Sequence, residues 1–114
     1  MEDCLFCKIA NKELESQYVY EDEKVIAFKD VDPQAPVHVL IIPKKHYTSI
    51  LDVPDDEMNI IAHIYKVAKK IVKDMGVAKK GFRLINNCGE EGGQSVSHLH
   101  FHLLGGRLLG WPPG

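Results

Sequence analysis

The sequence predicts an α+β fold, with a mainly antiparallel five-stranded sheet, one long helix and one short helix. Three observations lead there. Short β-branched or alternating apolar runs, bounded by turn residues, recur at 18–20, 25–29, 37–42, 82–86 and 97–106. Only 54–75 is both long and apolar at helical spacing. The element order of hairpin, strand, helix, strand, strand places the helices on one side of such a sheet. At 114 residues the chain suffices for one hydrophobic core, so 1–114 is read as a single domain.

Residues 1–15 form a short helical segment whose apolar members are Leu5, Phe6 and Ile9. Tyr18–Tyr20 and Val25–Lys29 flank an acidic turn and suggest a hairpin. Asp30 to Pro36, with two prolines, is a loop. It leads into Val37–Ile42, a buried central strand that ends before Pro43-Lys44-Lys45-His46. The long helix spans Pro54 to Met75, with Met58, Ile61, Ala68 and Met75 on its stripe. Asp55, Asp56 and Glu57 complement its positive end and Lys69, Lys70 and Lys73 its negative end, while Gly76 suits the C′ position. His63 lies off the stripe and reads as a surface residue. Phe82–Asn86 is the fourth strand, followed by a Gly-rich, acidic loop at 87–95. The tail from Gly105 to Gly114 is irregular, yet carries Leu108, Leu109 and Trp111.

A net charge of −2, with the Lys pairs scattered, argues against nucleic acid as a partner. No apolar run approaches the length of a membrane span. The opening MEDCLFCKIA lacks a signal-peptide core, so a cytoplasmic location is expected. Three cysteines make no disulfide framework; in a reducing compartment, Cys4-x-x-Cys7 suggests metal or redox chemistry.

The informative stretch is SHLHFHLLGG, from Ser97 to Gly106, where His98, His100 and His102 alternate with Leu99, Phe101 and Leu103. Period-two alternation on a strand puts the three imidazoles on one face, with Cβ atoms roughly 6.5–7 Å apart. Three neutral imidazoles could hold a transition metal with open positions for a substrate. Alternatively, one is a nucleophile and its neighbours carry protons. The preceding Gly92-Gly93-Gln94-Ser95 could present amides and a hydroxyl to an anion, which suits a phosphoryl substrate.

His98-Leu99-His100-Phe101-His102-Leu103-Leu104 resembles the His-x-His-x-His-x-x motif of the histidine triad family, and in particular its Hint-like branch of nucleoside phosphoramidases. Asp30–His46 (DVDPQAPVHVLIIPKKH), the GGQSVSHLHFHLLGG stretch and the terminal WPPG extend the resemblance over nearly the whole chain. The resemblance implies a homodimer whose sheets join, with a purine nucleotide such as AMP bound by each protomer. It implies His100 as nucleophile, His102 with Ser95 on the leaving-group side, and His38 and His98 in support. Asn87, Gly93, Gln94 and Ser95 would hold the phosphate and Asp30 the ribose. Phe6, Ile9, Leu14, Phe28 and Val31 would line the base pocket. Similar bacterial proteins carry a zinc set, which here would be Cys4, Cys7, His46 and His98, a structural Cys₂His₂ site separate from the chemistry. Zinc on His98 would leave that imidazole structural. Cys88 stands alone. Two other readings are a zinc- and nucleotide-binding regulatory or scaffold module with little turnover, and metal-dependent hydrolysis by the triad itself.

Overall fold

The structure is a computed structural model and describes residues 3–114; the first two residues of the expected helical segment lie outside them. Five antiparallel strands form one sheet in the order β1-β2-β3-β5-β4: β1 Tyr18–Glu21, β2 Val25–Lys29, β3 Val37–Pro43, β4 Phe82–Ile85 and β5 Phe101–Gly105. The two helices are α1, Leu5–Ala10, and α2, Asn59–Asp74. All seven residues of β3 are buried, His38 among them, as suits a mostly apolar strand covered on both faces.

The helices lie on opposite faces of the sheet, not on one side. α2 buries Ile64, Val67, Ala68, Ile71 and Val72 against Val25, Ala27, Val39, Ile41, Leu99, Phe101 and Leu103. Burying each of its larger side chains contributes about 1.5–3 kcal/mol. The alternate residues of the same strands, Ile26, Phe28, Leu40 and Ile42, meet Phe6, Ile9 and Ala10 of α1. With only six residues, α1 covers that second face incompletely, and the remainder carries polar chemistry.

α2 starts at Asn59 rather than Pro54 because Asp55–Glu57 forms a separate 3₁₀ turn. Gly76 follows its end at φ +75°, the conformation a Gly at C′ adopts without strain. His63 is not a bare surface residue. Its Nε2–H donates to Asp22 Oδ2 at 2.7 Å and ties α2 to the β1–β2 turn. Asp22 also accepts from Tyr20 Oη at 2.8 Å and from the amides of Lys24 and Val25. Partial burial alone would raise its carboxyl, but those two amides, with His63 and Tyr20, hold it well below the usual carboxylate range.

Candidate active site and metal centre

The histidine stretch departs from a half-exposed strand in two respects. β5 begins at Phe101, so only His102 stands in the ladder. His98 and His100 are also buried, at 0% and 2% exposure. The alternation of sides nevertheless holds: Leu99, Phe101 and Leu103 enter the α2 core, while the imidazoles turn to the α1 face. There the Phe6 ring meets His98 and His100 edge-on, with centroids 6.0 and 5.0 Å away. Leu40 opposite His102 and Leu104 opposite His38 set the register that puts His38 beside His102.

The three imidazoles do not form one metal site. His98 belongs to a cluster with Cys4, Cys7 and His46 whose donor atoms lie within 4.8 Å of one another. Its Nδ1 is 3.3 Å from Cys4 Sγ, 3.5 Å from Cys7 Sγ and 3.1 Å from His46 Nδ1, and Cys7 Sγ is 3.3 Å from His46 Nδ1. Zinc bonds of about 2.0–2.3 Å to N and S span tetrahedral edges of roughly 3.3–3.8 Å, so the set fits a Cys₂His₂ ion with little movement. Local folding brings it together. Cys4 is the N-cap of α1 and its sulfur accepts from the Cys7 amide, which aims both sulfurs at one point. The Leu99 amide donates to the Tyr47 carbonyl at 2.7 Å and so draws His98 to His46.

His98 Nε2–H donates to the Pro43 carbonyl at 2.9 Å, leaving the Nδ1 lone pair on the donor cluster, as a metal-ligating His requires. Burial, reinforced by His46 and His100, pushes the His98 imidazole down to about 4, and burial pushes the Cys7 thiol up. A metal ion there would displace the thiol protons and accept the bare imidazoles.

His100 is arranged differently. Its Nδ1–H donates to the His98 carbonyl at 2.7 Å, so its Nε2 carries the lone pair. Every buried side-chain N or O among the described residues has a partner, and Nε2 has none, so this atom reaches solvent even though the ring is buried. Burial also lowers the His100 pKa and keeps the ring neutral.

His102 belongs to a second cluster, with Asp30 and His38. The Gln34 amide donates to His38 Nδ1 at 3.0 Å. An amide cannot accept, so neutral His38 carries its proton on Nε2. That atom lies 2.9 Å from His102 Nδ1 and 3.3 Å from Asp30 Oδ2. His102 Nδ1 is therefore an acceptor, and the proton of neutral His102 sits on Nε2, facing out. Burial first, then His100 and His38, push His102 down to about 4, and burial outweighs Asp30 and Asp32 in lowering His38. The same proton placement argues against a metal in this cluster, because His38 Nε2 has no free lone pair.

The structure places the other expected residues as follows. Ser95 is exposed at the rim, and neither its amide nor its hydroxyl is paired among the described residues. The Gly93 and Gln94 amides are taken up within their own turn, by Glu90 and Gly89 carbonyls. The Gln94 side chain clamps Gly89, Thr48 and Val96. Asn87 is half-buried beside Asn86. Phe6, Ile9 and Phe28 are buried in the α1-side core, Leu14 is partly exposed and Val31 is 98% exposed. Asp30, Val31 and His38 share a cleft of about 680 Å³ with Glu15, Gln17 and Lys29. A larger hollow, about 870 Å³, lies between β4 and the tail and is lined by none of these groups. Cys88 is half-buried and joins neither cluster.

Sequence reasoning missed Asn86, whose Nδ2–H donates to the His100 carbonyl at 3.0 Å. It also missed the Gln34 amide, a backbone group that side-chain chemistry does not advertise.

A family model described as the HIT domain matches residues 11–109. The chain belongs to the HIT-domain family. Among solved structures, a histidine triad protein from Clostridium difficile is 55% identical with TM-score 0.95, covering 96% of both chains. A HIT family hydrolase from Legionella pneumophila is 51% identical with TM-score 0.96, covering 98% of this chain and all of its own. A "14 kDa zinc-binding protein" from Brassica juncea is 45% identical over 98% of this chain and its own full length. No helix among the described residues is long and apolar enough to cross a membrane.

Proposed function

We propose that the protein is a purine nucleoside phosphoramidase of the Hint-like branch, hydrolysing P–N bonds of adenosine 5′-phosphoramidate-like compounds through a nucleotidyl-histidine. The observation that carries the reading is the pair of neutral rings with opposite proton placement: a lone pair on His100 Nε2 beside a proton on His102 Nε2, ring centroids 5.1 Å apart. The His100 lone pair attacks the α-phosphorus and the P–N bond breaks; His102, protonated from solvent as the anionic substrate binds, gives its Nε2 proton to the departing amine and is left neutral. Water then attacks the phosphorus, the P–Nε2 bond breaks, and a water proton returns to His102. Splitting one displacement into two, with a positioned acid worth about 10²–10⁴ in rate, is what such a pair offers.

In this reading the unpaired Ser95 amide and hydroxyl, with Asn87, hold the phosphate, and Gly93 and Gln94 shape the loop that presents them. Asp30 meets the ribose, while Phe6, Ile9, Leu14, Phe28 and Val31 border the base. A zinc ion at Cys4, Cys7, His46 and His98 is structural; a cytoplasmic setting keeps those thiols reduced. The unpaired edge of β4, with exposed Phe82, Leu108 and Trp111 nearby, supports a homodimer with a continuous sheet.

The Legionella relative's description as a hydrolase also supports turnover over a purely scaffolding role. The test is His100→Ala with adenosine 5′-phosphoramidate. Turnover should fall by at least about 10³, as for loss of a covalent nucleophile. The parent protein, quenched during turnover, should carry acid-labile labelled adenylate. Undiminished turnover in the variant, or nucleotide affinity without labelling in the parent, overturns the proposal.

A further inference from the structure

We infer that Arg107 is a positioning residue for His102, acting through the Gln34 amide and His38. The inference rests on the leaving-group role proposed for His102. The proton on His102 Nε2 is set by a directional series that begins outside the histidines. The Gln34 amide is the one obligate donor in it, and its bond to His38 Nδ1 dictates where His38, and then His102, carries a proton. If that amide turns away, His38 can protonate Nδ1, its Nε2 becomes an acceptor, and His102 answers by placing its proton on Nδ1. The ring would then show a lone pair, not a proton, to the leaving group.

Something must therefore fix the Gln34 backbone in a loop that is exposed and belongs to no ladder. Arg107 does this. Its Nε–H and Nη2–H both donate to the Gln34 carbonyl, at 3.1 and 2.9 Å, while Nη1–H donates to the Leu108 carbonyl at 3.0 Å. A guanidinium engaged at three N–H groups resists rotation, which a lysine with one mobile ammonium would not. The neighbouring turn is built for the same close approach. Gly106 has φ +93°, and a Cβ there would sit 2.8 Å from Pro36 Cβ. The turn after β5 thus presses on both ends of the Gln34–Pro36 segment, and β5 itself carries His102 five residues before Arg107. One strand supplies the proton-bearing ring and, beyond its end, the clamp on the loop that sets its tautomer.

The experiment uses the full-length, metal-loaded protein, ¹⁵N-labelled at histidine, with long-range ¹H–¹⁵N correlation of the imidazoles. In the parent, His38 and His102 should each show a bare Nδ1 and a protonated Nε2. Arg107→Ala should produce a mixture of tautomers at both. The kcat for phosphoramidate should fall about five- to tenfold, the scale of one lost hydrogen bond, with KM changed less than about twofold. Arg107→Met keeps the aliphatic stem and removes every donor, so it gives the same reading if alanine at this position does not fold. Arg107→Lys should restore part of the parent pattern. Gln34→Ala keeps the amide and should retain the parent pattern in full. An unaltered tautomer pattern in Arg107→Ala or Arg107→Met overturns the inference, as does a mixture in Gln34→Ala. If the parent turns over no phosphoramidate, the proposed function fails by itself, and the imidazole spectra still decide the role of Arg107.

Discussion

Stripping the metal centre is the perturbation with the clearest structural arithmetic. Its four donors come from three separate places: the start of α1, the residue region after β3, and the segment before β5. An unfolded chain does not hold these together, so the ion binds the folded state almost exclusively and stabilises it by mass action. Free zinc at 100 times the dissociation constant contributes about 2.7 kcal/mol, which for a domain of this size raises Tm by about 10 °C. The bare cluster has its own cost, since His46 Nδ1 and His98 Nδ1 face one another at 3.1 Å and burial opposes protonating His98. Differential scanning calorimetry before and after chelation, with metal content measured on the same samples, checks this. Cys7→Ser should behave like the stripped protein. A Tm shift under about 2 °C after verified removal, or purified protein with less than about a tenth of an equivalent of metal, would refute the reasoning. Because His100 Nε2 and His102 Nε2 lie outside the four donors, stripped but still folded protein should keep turnover of the same order. Complete loss in protein shown to be folded would restore the metal-dependent reading of the triad.

Other outcomes follow from single contacts. Leu99→Ala empties a fully buried position between His98 and His100, and should cost about 2–5 kcal/mol in urea unfolding. Gly106→Ala forces a Cβ against Pro36 at a positive φ and should cost about 1–3 kcal/mol, read as a lowered urea midpoint. Asp22→Ala leaves the Lys24 and Val25 amides, Tyr20 and His63 without their acceptor, and should cost about 2–3 kcal/mol in the same assay. The folded-state pKa of His102 is near 4 against 6.5 when free, so between these values the unfolded chain binds more protons. Its contribution to stability is thus full above pH 6.5 and is lost as pH falls towards 4; Tm across that range should drop, and His102→Gln should flatten the slope.

Much of this molecule was legible in its residues because the relevant signals are local. The runs at 25–29 and 37–42 became β2 and β3 almost residue for residue, since β-branched runs broken by prolines and acidic turns leave few alternatives. Cys4-x-x-Cys7 with His46 and His98 was readable as a donor set through the family resemblance, and the structure assembles it. What was not legible depends on tertiary context. The acidic 54–57 stretch looks like a first helical turn, but Asp55–Glu57 closes as a 3₁₀ turn, with Glu57 accepting from Tyr47 Oη and Lys45 Nζ. His63 sits off the apolar stripe, and only the fold shows that Asp22 waits opposite it. Element order suggests helices on one side, and the six residues of α1 give too little periodicity to reveal that Phe6 and Ile9 cover the other face.

The alternation at 98–103 carried a further meaning that period alone does not supply. A polar face normally implies solvent, yet here it implies a second, drier environment, since His98 and His100 are buried about as deeply as Leu99 between them. Three neutral imidazoles in such a place must each be satisfied, and each is satisfied differently: His98 by the cysteine pair and a carbonyl, His100 by the His98 backbone, His102 by His38. Those partners, more than the spacing, separate the roles. They also couple them, because the carbonyl that holds the His100 proton belongs to the residue whose side chain enters the metal cluster. An ion that fixes His98 thereby fixes the orientation of the lone pair two residues on. The metal centre can be structural and still bear on the chemistry, through one peptide group and without touching a substrate.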